Sequence, residues 1–142
     1  MNRTLIVMGY IYNPDGFDWM NFKLTKHNKY TYHHIVERKK GGDDSVENGA
    51  ILTEIAHRFL NILEQYCPDA YNDLQNVFIK ISNSKLPPAN EIVKEMDQIL
   101  YDIFYTDKYK FDENTIPGHS RRQYLVARGT YILSRKCLKK CL

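Results

Sequence analysis

The stretch from Thr53 to Tyr66 constrains the fold of this chain more than any other segment. Its apolar side chains recur at the three- and four-residue spacing of one helix face, at Ile55, Phe59, Ile62, Leu63 and Tyr66. Cys67-Pro68 follows, and a proline disfavours the helical conformation in the residue before it. The pattern predicts an amphipathic helix whose apolar stripe must pack against a core.

The second half of the chain repeats this kind of pattern. Asp69 can cap the first helix of a helical region over 69–105, which Leu86-Pro87-Pro88 divides in two. The helix after that break is expected over 90–105. A further helix, rich in basic residues, is expected over 120–140. Most of the fold is therefore predicted to be helical.

The first half carries the signals for strands and turns. Residues 5–12 and 29–36 are rich in apolar, β-branched or aromatic residues and favour strands. Residues 13–16 form a turn by composition, and the apolar spacing in 17–24 favours one or two helical turns. Residues 39–44 hold two glycines and four charges, which predicts a loop. Together these elements predict a single α+β domain over 1–142, mostly helical.

The basic charge is segregated at the C-terminal end. The chain has 142 residues and a net charge of +3, yet residues 119–142 hold seven Lys or Arg and no Asp or Glu, leaving the first 118 residues at −4. Such a run favours contact with phosphates, against the alternative of a solvated helix face. Arg121, Arg128 and Arg135 recur every seven residues and could form one stripe.

Residues with chemical potential are concentrated between Tyr30 and Glu64. A β-rich run ends in His33-His34, a Gly-Gly loop follows, and Glu47-Asn48 precedes an apolar pair and a helix that carries His57. Asn48 lies fourteen residues after His34, and His57 nine after Asn48. This order resembles the HNH nuclease family, whose ββα-metal motif would span 30–64.

The resemblance implies a role for each matching residue. His33 would be a metal ligand together with His57 and Asn61, which share a helix face because they lie four residues apart. His34 would be the general base, and a neutral imidazole suits that role because its ordinary pKa is near 6.5. Asn48 would support the catalytic site by tying the hairpin loop and holding His34 in orientation.

The resemblance also implies a cofactor, a reaction and a partner. Two imidazoles and one amide oxygen favour one divalent ion, Mg²⁺ or Mn²⁺, although Zn²⁺ or Ni²⁺ could occupy the same set. The implied activity is hydrolysis of DNA phosphodiester bonds. Because one site cuts one strand, nicking is one form that this activity could take beside double-strand cleavage, and RNA stays open as a substrate. Arg58, Arg121, Arg128 and Arg135 are the candidate contacts to the nucleic acid. The resemblance to small members of this family suggests a phage or mobile-element context.

Two other functions compete with this interpretation. One is an inactive HNH-like protein that binds DNA or acts as an adaptor; the other is a helical interaction module in which the histidines are incidental. The sequence leaves the oligomeric state open. Three cysteines do not describe a disulfide framework, and the apolar run over 5–8 is too short for a signal peptide or a membrane span. We therefore expect a cytoplasmic protein with no membrane partner.

Overall fold

The structure is a computed structural model that describes residues 16–84 and 90–141, with side chains described over 16–84 and 91–133. The strand predicted over 5–12 lies outside these residues. The described chain forms two strands and four α-helices: β1 (Tyr30–His34), β2 (Gly49–Thr53), α1 (Glu54–Tyr66), α2 (Pro68–Ser84), α3 (Asn90–Tyr105) and α4 (Gly118–Cys141). The α+β, mostly helical class predicted from the sequence is confirmed.

The two strands form an antiparallel hairpin with a long connection. Tyr30 pairs with Thr53 at one end of the ladder, and His34 pairs with Gly49 at the other. The connecting loop, residues 35–48, includes a 3-10 turn at Arg38–Lys40. Because α1 begins directly after β2, the chain runs strand, loop, strand, helix without a further linker.

Both ends of α1 are set by the residues that the sequence singles out. Thr53 has an extended backbone, and its side chain accepts a hydrogen bond from the Ala56 amide, so it is the N-cap. Cys67 leaves the helical conformation at the other end. Pro68 then begins α2, where its missing N–H has no helical partner to lose.

α1 lies at the centre of the core. It packs against both strands, α2 and α4, while α3 packs against α2. Phe59 is fully buried, with its ring centroid 5.2 Å from that of Phe104 and 6.0 Å from that of Tyr124. Burial of such a side chain stabilises the fold by about 1.5–3 kcal/mol. The helix that carries the candidate site residues is therefore anchored from several directions.

The helical turns expected over 17–24 are wrong. This segment is a loop closed by a bridge between Phe17 and Lys23. The carboxylate of Asp18 accepts hydrogen bonds from the amides of Met20 and Phe22, both at 2.9 Å. A short acidic side chain that binds nearby backbone N–H groups competes with helix formation, which explains the difference.

The same carboxylate connects this loop to the start of α1. The second oxygen of Asp18 accepts from the amide and the hydroxyl of Thr53, both at 2.7 Å. Burial raises the pKa of Asp18 to about 6, and the four hydrogen bonds oppose that rise. Asp18 is thus a buried bridge between the loop before the hairpin and the first helix.

Within the described residues, no helix is both long enough and apolar enough to cross a membrane.

Candidate metal centre

The hairpin and α1 bring His33 and His57 together. Side chains alternate along β1, so Thr31 and His33 face α1, and both contact His57. The ring centroids of His33 and His57 are 5.4 Å apart and the ring planes are nearly perpendicular, at 83°. The two histidines therefore meet at the junction of strand and helix.

His33 is held from the other side by α2. The residue is 7% exposed, and its ring also packs against Phe78. Its Nε2 lies 2.7 Å from the amide oxygen of Gln75, whose amide nitrogen donates to the Ile35 carbonyl at 2.9 Å. Burial lowers the pKa of His33 to about 4, with the Gln75 contact opposing the change. The His33 ring is therefore neutral at pH 7.

His57 is held in place by a residue of β1. Its Nδ1 lies 2.8 Å from the hydroxyl oxygen of Thr31, and that hydroxyl donates to the Leu52 carbonyl at 2.8 Å. Burial lowers the pKa of His57, and a charge on His34 lowers it further. His57 thus also favours the neutral form, which is the form that binds metal ions.

Asn61 lies one helical turn beyond His57 and is exposed to solvent. Glu64, one turn further along α1, is also exposed. Its charge favours the protonated form of His33, and Tyr71 on α2 forms a hydrogen bond with it. Glu64 is therefore within electrostatic reach of His33, whereas Asn61 is placed near His57 by its helical spacing.

The chemistry of these donors fits a divalent ion. Two imidazoles bound to one ion at about 2.1 Å have ring centroids roughly 5 Å apart, close to the separation of His33 and His57. Over the described residues, no three side chains of His, Cys, Asp or Glu group as a metal site. The set of His33, His57 and Asn61 is of another kind, because its third donor is an amide.

His34 lies on the opposite face of the hairpin. Its ring contacts that of Tyr32, with centroids 4.7 Å apart, and its Nε2 lies 2.6 Å from a carboxylate oxygen of Asp44. The other oxygen of Asp44 accepts from Arg38 at 2.6 Å. The hydrogen bonds from Arg38 and His34 lower the pKa of Asp44. The adjacent histidines of the pair thus have separate surroundings.

Asn48 holds the long loop closed. Its amide oxygen accepts from the Val36 amide at 2.8 Å, and its amide nitrogen donates to the carbonyls of Val36 and Asp43 at 3.0 and 2.8 Å. Gly42 passes so close that a Cβ there would lie 1.7 Å from the Val36 carbonyl oxygen. The side chain of Asn48 therefore sets the path of the loop that carries Asp44.

Three of the four candidate nucleic-acid contacts have partners within the protein. Arg58 pairs with Glu54 one turn before it, at 3.5 Å. Arg121 donates to the Asn114 carbonyl at 2.7 Å, and Arg128 pairs with Glu113 at 3.2 Å. Arg135 lies outside the residues whose side chains are described. The loop before α4 thus occupies two cations of the predicted stripe.

The sequence does not identify three residues around the histidines as part of the site: Thr31, Asp44 and Gln75. Thr31 and Asp44 belong to segments whose patterns predict only a strand and a charged loop. Gln75 is 42 residues from His33 in sequence, and a glutamine on a helix gives no local signal of such a contact. An acceptor next to each histidine is the rule that could have prompted the search.

Comparisons with protein-family models, with curated proteins and with solved structures find no match for this chain.

Proposed function

We propose that this chain is a metal-dependent endonuclease of the HNH type that hydrolyses DNA phosphodiester bonds. The observation that carries the proposal is the meeting of His33 and His57, two imidazoles whose ring centroids lie 5.4 Å apart at a strand–helix junction. Their order in the chain, with a loop closed by Asn48 between them, agrees with the resemblance to that family.

His33, His57 and Asn61 would hold one divalent ion, with Mg²⁺ or Mn²⁺ favoured by the amide donor. When bound, such an ion stabilises negative charge on the phosphate and on the departing 3′ oxygen. The two imidazoles need no deprotonation to bind it, because burial favours the neutral form of each ring.

His34 would accept a proton from the attacking water. Asp44 is an ionised acceptor between Arg38 and His34, so the His34 Nε2 carries a proton and donates to it. The lone pair of neutral His34 is then on Nδ1, which takes the water proton as the hydroxide attacks phosphorus and the 3′ oxygen leaves. The carboxylate of Asp44 stabilises the resulting imidazolium.

The position of His34 also supports a second candidate function, a non-catalytic DNA-binding or adaptor protein. Its ring lies with Tyr32 on the face of β1 away from His57, and its Nε2 is bound to Asp44. A protein that keeps the hairpin for binding alone needs no free base at this position.

The test is nicking of supercoiled plasmid with Mg²⁺, with Mn²⁺ and with EDTA. We expect ion-dependent nicking that falls by roughly 10²–10⁴-fold in His34→Ala while Mn²⁺ binding, measured by calorimetry, persists. His57→Ala should lose both. The matched control is His27→Ala, which removes an exposed histidine from the turn before β1. A wild-type protein that binds the plasmid without nicking it supports the second candidate. A wild-type protein that neither binds nor nicks the plasmid overturns both functions.

A further inference from the structure

We infer that Thr31 and Gln75 are positioning residues that fix His57 and His33 in opposite neutral tautomers, so that His57 Nε2 and His33 Nδ1 are the nitrogens offered to a shared ion. The inference rests on the metal-binding role proposed above for these two histidines. It concerns which nitrogen of each ring carries the proton before any ion arrives.

The tautomer of His57 follows from the single proton of the Thr31 hydroxyl. That hydroxyl lies 2.8 Å from the Leu52 carbonyl oxygen, which can only accept. The proton is therefore directed to Leu52, and the Thr31 oxygen faces His57 with a lone pair. A contact of 2.8 Å between that oxygen and His57 Nδ1 then requires Nδ1 to be the donor. The lone pair of the neutral ring is left on Nε2.

The tautomer of His33 follows from the orientation of the Gln75 amide. The Ile35 carbonyl can only accept, so the amide group that lies 2.9 Å from it is the NH₂. The oxygen of Gln75 then faces His33 Nε2 at 2.7 Å and also can only accept. Nε2 must carry the proton, and the lone pair of His33 is left on Nδ1.

Each of the two chains of hydrogen bonds fixes the tautomer of one histidine, one through Thr31 on β1 and the other through Gln75 on α2. Both end on backbone carbonyls, of Leu52 in β2 and of Ile35 just after β1, which cannot exchange roles with a donor. Metal binding needs the lone pair, so a ring in the wrong tautomer would have to move its proton first. Such orienting contacts typically change metal affinity by 10–100-fold. α2, through Gln75, is thereby part of the site.

The tautomers can be observed directly in the ion-free protein. Long-range ¹H–¹⁵N spectra of histidine side chains at pH 7.5 distinguish a protonated Nδ1 from a protonated Nε2. We expect His57 as the Nδ1–H form and His33 as the Nε2–H form. Thr31→Val keeps the shape of the side chain and removes the acceptor, so His57 should lose its fixed tautomer. Thr31→Ser keeps the hydroxyl and should leave the His57 signals as in the wild type.

The consequence for the ion is measured with Mn²⁺ alone, by calorimetry. Thr31→Val and Gln75→Leu should each weaken Mn²⁺ binding by about 10–100-fold, and Thr31→Ser by little. Wild-type spectra with either tautomer reversed, or an unchanged His57 tautomer in a folded Thr31→Val protein, would overturn the inference even if the protein binds Mn²⁺ and nicks DNA. The expected tautomers in a wild-type protein that binds no Mn²⁺ would support the assignment of the rings and overturn the proposed function.

Discussion

The buried, neutral state of His33 predicts a specific loss of stability in mild acid. The unfolded chain has an ordinary histidine with a pKa near 6.5, whereas burial lowers the pKa of folded His33 to about 4. As the pH falls below 6.5, the His33 ring becomes protonated in the unfolded chain while it stays neutral in the folded protein. His33 therefore contributes stability that is fully present above pH 6.5 and is lost as the pH falls towards 4.

The magnitude follows from the two pKa values. Each unit of difference corresponds to about 1.4 kcal/mol, so the whole difference is worth about 3 kcal/mol, of which about 2 kcal/mol is lost between pH 7 and pH 5. Asp18 acts in the opposite sense, because its pKa is raised to about 6 and its protonation favours the folded state in acid. The His33 contribution must therefore be separated by a variant.

The assay is urea unfolding of the wild type and of His33→Gln at pH 7 and pH 5. The change in unfolding free energy between the two pH values is taken for each protein, which cancels the general cost of the substitution. Subtracting the change in the variant from the change in the wild type then cancels the effect of Asp18. We expect the wild type to lose about 2 kcal/mol more than the variant over this interval. Equal losses in the two proteins, or a His33 ring that titrates near pH 6.5 by NMR, would refute the reasoning from burial.

Three further predictions concern the loop and the basic helix. Gly42→Ala should lower the free energy of unfolding, measured with urea, by more than ~3 kcal/mol because its Cβ would collide with backbone. Gly41→Ala has open space around the new Cβ but a φ of 92°, so it should lower the same free energy by about 1–2 kcal/mol. Asn48→Ala removes three hydrogen bonds and should cost about 2 kcal/mol by the same measurement. Arg128→Gln should lower the salt dependence of DNA affinity by less than the ~0.9 expected of a free cation on duplex DNA, because Arg128 is paired with Glu113; a full decrease would contradict this.

Elements whose signals are local could be predicted from the sequence. The start of α1 depends on Thr53 as a cap and its end on Pro68, both of which lie within or beside the helix. The bounds of α3, Asn90–Tyr105, agree with the predicted range of 90–105. The bounds of a helix do not fix the burial of each apolar residue on it, since Val93 on α3 is 48% exposed.

Contacts between distant segments could not be predicted. Gln75 meets His33 only because α2 folds back across the end of β1. Asp18 binds Thr53 across 35 residues, and this contact holds the 17–24 loop against the start of α1. Arg128 lies in a basic run that contains no acidic residue, yet the loop before α4 supplies Glu113 as its partner. In each case the partner is set by the tertiary fold, which a local pattern does not contain.

The His33-His34 pair lies on both faces of the hairpin, and this placement constrains the proposed chemistry. Adjacent residues of a strand point to opposite faces, so His33 joins His57 on one side while His34 joins Asp44 on the other. The two faces meet at the end of β1, which is one place where a single phosphate could contact both side chains. There the chain is held by Asn48, whose carbonyl accepts from the Ile35 amide at 2.9 Å. In the proposed function, a substrate approaching along this end of the hairpin would meet the loop that Asn48 closes.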